Sequence, residues 1–117
     1  MRLTSFTAVM TLCVPAFAGQ VEVVSVEATK AGAGYRFDVT LRHGDEGWGH
    51  YADRWDVVDE AGTVLGTRVL AHPHVDEQPF TRSATVDVPT GTTRVYVVAN
   101  DSVHGQTSER FPVVLPK

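Results

Sequence analysis

Cysteine is almost missing from this sequence: Cys13 is the only one in 117 residues, and it falls inside an apolar opening segment. Met1-Arg2 starts that segment with a positive charge, Phe6 to Val14 is mostly apolar, and Ala16-Phe17-Ala18 has the small-x-small pattern of a leader cleavage site. The spacing predicts a signal peptide over residues 1–18 and one domain over 19–117, the expected destination being periplasmic or secreted. Leu12, just before Cys13, is larger than a lipid-attachment signal normally accepts, so Cys13 reads as an ordinary leader residue. Loss of the leader removes Arg2 and moves the formal charge from −4 to −5. No disulfide can then brace the domain, and a thiolate-dependent copper centre is excluded. Stability has to come from packing, which a domain of this size can supply.

Other absences narrow the function. No basic stripe accompanies the acidic balance, which argues against nucleic acid as a partner. No apolar run after residue 18 is long enough for a membrane span. There is no helical period, no internal repeat, no nucleophile elbow, no His-Glu-x-x-His helix and no cofactor fingerprint. A hydrolytic three-histidine zinc site is conceivable chemistry, but an enzyme ranks last among the readings.

What remains is a series of short alternating runs broken by Gly, Pro, Asp and Asn, the signature of an all-β chain. The runs cover 21–29, 35–42, 54–59, 63–71, 80–88, 93–100 and 107–115. The second is the clearest: Tyr35, Phe37, Val39 and Leu41 face one way, and Arg36, Asp38, Thr40 and Arg42 the other. About seven strands, with Trp55 near the start of the third, predict an antiparallel Ig/fibronectin-III-like β-sandwich.

Successive antiparallel strands reverse direction, so the loops alternate between two ends of such a sandwich. His43 and His50 follow the second strand, His72 and His74 precede the fifth, and His104 follows the sixth. All five histidines are thereby assigned to one end, and the turns at 32–34, 61–62 and 90–91 carry none. Proline restrains the residue before it to extended geometry. His72-Pro73-His74 should therefore set two imidazoles about 6.5 Å apart on one side of the chain. The expected metal ligands are His72, His74, His104 and His50, binding Cu(II) or Zn(II) through imidazole. His43 keeps the inward parity of Leu41 and is placed in support, together with Asp101, Asp53, Asp76 and Glu77 as carboxylates that orient imidazoles.

Plainer readings stand beside these. A lone loop histidine is usually a strand cap or a backbone partner, and only the clustering shifts the balance. Asp45-Glu46 reads as a solvated turn, Trp55 as core, and Arg54 and Arg82 as salt-bridge partners. Segment 77–82 is denser in specific side chains than a spacer needs and has no assigned role. Trp48 and Tyr51, flanked by glycines, are either a lid on the core or a stacking surface. In the second case the protein is a non-catalytic module recognising a cell-envelope protein or a glycan.

The stretches His50-Tyr51-Ala52-Asp53-Arg54-Trp55 and 72–82 resemble small secreted bacterial Ig-like proteins of uncharacterised function, a likeness that covers the whole exported chain and implies no activity. Asp101-Ser102-Val103-His104-Gly105, before the terminal strand, is similar over about twenty residues to periplasmic copper-resistance (CopC-like) β-sandwich proteins. That resemblance implies copper. This chain departs from it, because cleavage would leave Gly19 where that group usually has an N-terminal histidine ligand, and its Asp and His are spaced one residue further apart.

Overall fold

A computed structural model describes residues 20–107 and 109–117. The expected leader, its cleavage site and Cys13 lie outside the described residues. Eight strands follow in order: β1 (Glu22–Ala31), β2 (Gly34–Arg42), β3 (Ala52–Val58), β4 (Val64–Val69), β5 (Phe80–Asp87), β6 (Arg94–Asp101), β7 (Gly105–Gln106) and β8 (Phe111–Val114). They form two antiparallel sheets, one ordered β1-β2-β5 and the other β4-β3-β6-β7, with β8 also pairing β6. The chain is an all-β sandwich, as its alternating pattern requires.

Period-two alternation explains the core. Phe37, Val39 and Leu41 of β2 are fully buried between less buried neighbours. Trp55 and Val57 of β3 and Val95, Val97 and Ala99 of β6 are fully buried too, although there Asp56, Val58 and Val98 beside them are also covered. Phe80 and Val86 close the β5 side. Burying one such side chain contributes roughly 1.5–3 kcal/mol. The two sheets come close at Gly66, where even a Cβ would lie 2.7 Å from the Val86 side chain.

The last strand differs from expectation. A single strand over 107–115 was expected, but the chain pairs twice with β6. Asn100 meets Gln106 at one end, and Val97 meets Phe111 further down. Between these pairs the register slips by two residues. Thr107 holds the edge of this break, its N–H bonding the Ala99 carbonyl and its hydroxyl the Glu109 carbonyl. The fourth strand is also shorter than its alternating run, ending at Val69.

One end of the sandwich gathers the β2–β3, β4–β5 and β6–β7 connections, and these are bonded to each other. Ser102 N–H donates to the Tyr51 carbonyl (2.9 Å), and Tyr51 N–H returns a bond to the Ser102 hydroxyl (3.0 Å). Gln78 accepts from His43 N–H (2.9 Å) and donates to the His74 carbonyl (2.9 Å).

Candidate metal centre

Two inward-facing rows end at this pole in polar side chains. The row Phe37, Val39, Leu41 continues to His43, 3% exposed, and the row Val95, Val97, Ala99 continues to Asp101, 1% exposed. Alternation along two strands thus delivers an imidazole and a carboxylate to the top of the same core. His50 arrives from the β2–β3 loop, which folds back on itself. Glu46 N–H bonds the His50 carbonyl (2.8 Å), and His50 N–H bonds the Gly47 carbonyl (3.2 Å). Gly47 takes φ +101°, a conformation open to glycine and strained for other residues.

His43 Nε2 lies 3.5 Å from Asp101 Oδ2, and His50 Nε2 lies 3.7 Å from Asp101 Oδ1. The two rings are edge to face, 4.8 Å between centroids. Each ring is held from behind by a carboxylate: His43 Nδ1 is 2.5 Å from Asp45 Oδ1, and His50 Nδ1 is 2.8 Å from Glu46 Oε1. A carboxylate at Nδ1 favours the hydrogen there and directs the Nε2 lone pair forward, the arrangement that orients metal-binding histidines. Ligand atoms of His43, His50 and Asp101 all lie within 4.8 Å of one another. A tetrahedral ion with bonds of 2.0–2.1 Å sets its ligand atoms about 3.3 Å apart, so the two ring-to-carboxylate distances need only a small contraction.

Asp101 is also held by bonds from its own loop. Its Oδ1 accepts the N–H groups of Val103 (2.8 Å) and His104 (2.6 Å), and its Oδ2 faces His104 Nδ1 at 3.1 Å. Burial by itself pushes this carboxyl up. The two backbone N–H bonds and the His104 ring outweigh that, and hold it below the ordinary carboxylate range. The carboxylate is therefore ionised at neutral pH, as a hard anionic ligand must be. The His104 ring sits 5.0 Å from His50 at the outer edge, with its side chain 38% exposed.

His72 and His74 do not join this group. Their rings are neighbours, 4.7 Å between centroids, but the His74 ring is stacked on Phe80 at 4.0 Å and 11°. Its Nε2 accepts from the Arg82 guanidinium at 2.9 Å. A strong donor thus takes the Nε2 lone pair that a metal would need, while the stacked Phe80 fixes the ring's orientation. Burial first, then the charges of Arg82 and His72, lower the His74 pKa, so the ring is neutral. His72 is exposed, with Nδ1 3.1 Å from the Pro73 carbonyl.

The supporting carboxylates also differ from those expected. Asp53 accepts from Asn100 Nδ2 (2.8 Å), Glu77 pairs with Arg82 (3.3 Å), and Asp76 is exposed. The carboxylates behind the imidazoles are Asp45 and Glu46, which the sequence presented as a solvated turn. Asp45 is buried because it serves three donors: its Oδ1 takes His43 Nδ1 and Ala52 N–H (3.1 Å), and its Oδ2 takes His74 N–H (2.7 Å). The sequence did carry a signal, since Asp45 lies two residues from inward-facing His43 and Glu46 lies four from His50.

Segment 77–82 acquires a role here. Gln78 ties two loops together, while Phe80 and Arg82 hold the His74 ring. Trp48 stays outside the core at 68% exposure, in an edge-to-face pair with Tyr51 at 5.6 Å. It is not a lid.

No helix among the described residues is long and apolar enough to cross a membrane. No protein-family model matches the sequence, and no solved structure matches the fold. The chain is similar to a protein of Halomicrobium mukohataei named "Putative lipoprotein", with 47% identity over 95 residues. That match covers 80% of this chain and 47% of the other protein, so the chain spans about half the length of this relative.

Proposed function

We propose that this is an exported, metal-binding cell-envelope protein whose ion is held by Nε2 of His43, Nε2 of His50 and the carboxylate of Asp101. His104 stands at the open side as an exchangeable fourth ligand. The observation that carries this reading is the pair of imidazoles, each backed at Nδ1 by its own carboxylate and each turning Nε2 to the same ionised Asp101. The donor set of imidazole and carboxylate, without thiolate, suits Zn(II) or Cu(II). A location at the cell envelope is supported by the name of the Halomicrobium relative and by the leader-like first 18 residues.

Calorimetry of the purified protein with Zn(II) and Cu(II) tests the site. A single strong site is expected in wild type, with affinity falling as pH drops because protons compete for imidazole. His50→Ala, at the partly open edge, should weaken binding by more than about 100-fold, since losing a direct ligand exceeds the 10–100-fold typical of an outer-shell partner. His72→Ala/His74→Ala should leave affinity unchanged. The reverse pattern would move the ion to the His72-Pro73-His74 loop and refute this assignment.

A second reading is favoured by the exposed Trp48, paired edge to face with half-buried Tyr51 beside His50. Aromatic rings offer contact area at low entropic cost, and such a surface fits a cell-envelope protein or a glycan. Here Trp48→Ala should abolish partner binding and leave metal affinity unaltered.

A further inference from the structure

The buried polar side-chain atoms without a hydrogen-bond partner among the described residues are Trp55 Nε1, Arg68 Nε and His74 Nδ1. All three are donors. Trp Nε1 and Arg Nε carry hydrogen in every ordinary state. His74 Nδ1 carries it because Nε2 accepts from Arg82. No buried acceptor is left over to match them, so the imbalance has one sign. Buried polar groups in folded proteins are paired as a rule, and a set of unpaired donors calls for an acceptor from outside the chain.

Two of these donors belong to neighbouring residues. Trp55 of β3 and Arg68 of β4 are direct cross-strand partners, which sets their Cβ atoms about 4.5–5.5 Å apart on one face. That face is the interior one: Trp55 is fully buried, and Gly66, two residues before Arg68, abuts the Val86 side chain of β5. β4 is the last strand of its sheet, so Arg68 points into the gap between the sheets at their open flank. Arg68 is half-buried and has no ion pair among the described residues. A second arginine, Arg82 of β5, faces the same side of the sandwich, and its carboxylate partner is the exposed Glu77 at 3.3 Å.

We infer that the β4–β5 flank binds an oxyanion, a carboxylate or phosphate group, gripped by the Arg68 guanidinium and accepting a bond from Trp55 Nε1–H. A guanidinium presents a planar fork that matches two oxygens of such a group. A cation half-withdrawn from water without a counter-charge is unfavourable, and the anion relieves that cost. The indole N–H supplies a neutral donor, which only a ligand carrying an acceptor lone pair can use.

The chain has two tryptophans, and the exposed Trp48 serves as an internal control. The purified protein, labelled with 15N, is titrated with acetate and separately with phosphate, at an ionic strength held constant with chloride. The Trp55 indole and Arg68 Nε–H signals should move together and saturate with one midpoint, while the Trp48 indole stays in place. The stronger of the two ligands identifies a carboxylate or a phosphoryl group as the natural one. Arg68→Met should abolish the Trp55 response. Arg68→Lys, which keeps charge but loses the Nε–H, should weaken it at least about tenfold. Absence of a saturable Trp55 shift in wild type overturns the proposal and leaves water as the acceptor. An equal shift in Arg68→Met overturns it as an adventitious ion only.

Discussion

Asp45 is where the packing of the pole can be tested most directly. Its buried carboxylate accepts from the His43 ring, from Ala52 N–H and from His74 N–H, each on a different segment. Asp45→Ala removes all three acceptors at once and leaves their donors facing a small cavity. An orphaned buried donor costs about 1–3 kcal/mol. Three of them, partly relieved by water entering the cavity, should destabilise the protein by about 3–6 kcal/mol. Domains of this size have only about 5–15 kcal/mol in total. With about 4–8 °C lost per kcal/mol, the melting temperature should fall by at least about 12 °C, as read by circular dichroism. Asp45→Asn keeps one acceptor oxygen but turns an amide NH2 toward a donor, so it should cost about 1–3 kcal/mol and stay folded. In that variant the ring of His43 loses its anionic partner, and metal affinity should drop 10–100-fold by calorimetry. A loss below about 1 kcal/mol in Asp45→Ala would refute the idea that this carboxylate joins the loops. An unchanged affinity in Asp45→Asn would refute its role behind His43.

Other outcomes follow from neighbouring residues. Because burial and Arg82 lower the folded-state pKa of His74, the unfolded chain takes up that proton first as pH falls below about 6.5. The stability contributed by a neutral His74 is complete above that pH and is lost as pH drops toward the folded value, with a slope of at most about 1.4 kcal/mol per pH unit. His74→Phe should therefore lose less stability than wild type between pH 7.5 and 5 in urea titrations, and parallel curves would count against the buried neutral ring. Gly47→Ala places a side chain at φ +101° and should cost about 1–3 kcal/mol. It should also weaken metal binding by displacing His50, a linkage that calorimetry can detect. His104→Ala removes an exposed ring while its backbone N–H bond to Asp101 remains. Stability should change by less than about 1 kcal/mol, and faster metal dissociation, followed by transfer to a chromophoric chelator, should be the main effect.

Strand alternation made much of this arrangement legible. Carrying the parity of β2 one step beyond Arg42 puts His43 inside, and reversing direction at each strand puts His50 and His104 at the same end. The expected strand stopped at residue 100 and left Asp101 in a loop as a supporting carboxylate; that it continues the row Val95, Val97, Ala99 and stands at the centre of the cluster emerged only in three dimensions. The direction of the His74 ring was hidden, because it depends on Phe80 and Arg82 reaching back from the next strand. Asp45 and Glu46 looked solvated because two adjacent acidic residues usually are; their burial or pairing depends on how a glycine-rich loop folds back. The break in the final strand was equally invisible, since a two-residue register slip leaves the alternation on either side intact.

Arg68 has a consequence for handling the protein as well. β4 closes its sheet and leaves one rim of backbone N–H and C=O groups unmatched, a template onto which another chain could add. A charged side chain turned inward from such a rim discourages the addition, because an incoming strand would trap the guanidinium away from water. Neutralising it with methionine removes that deterrent, so solutions of the variant should be more prone to self-association, and dilute samples checked by light scattering are the appropriate ones for any measurement on it.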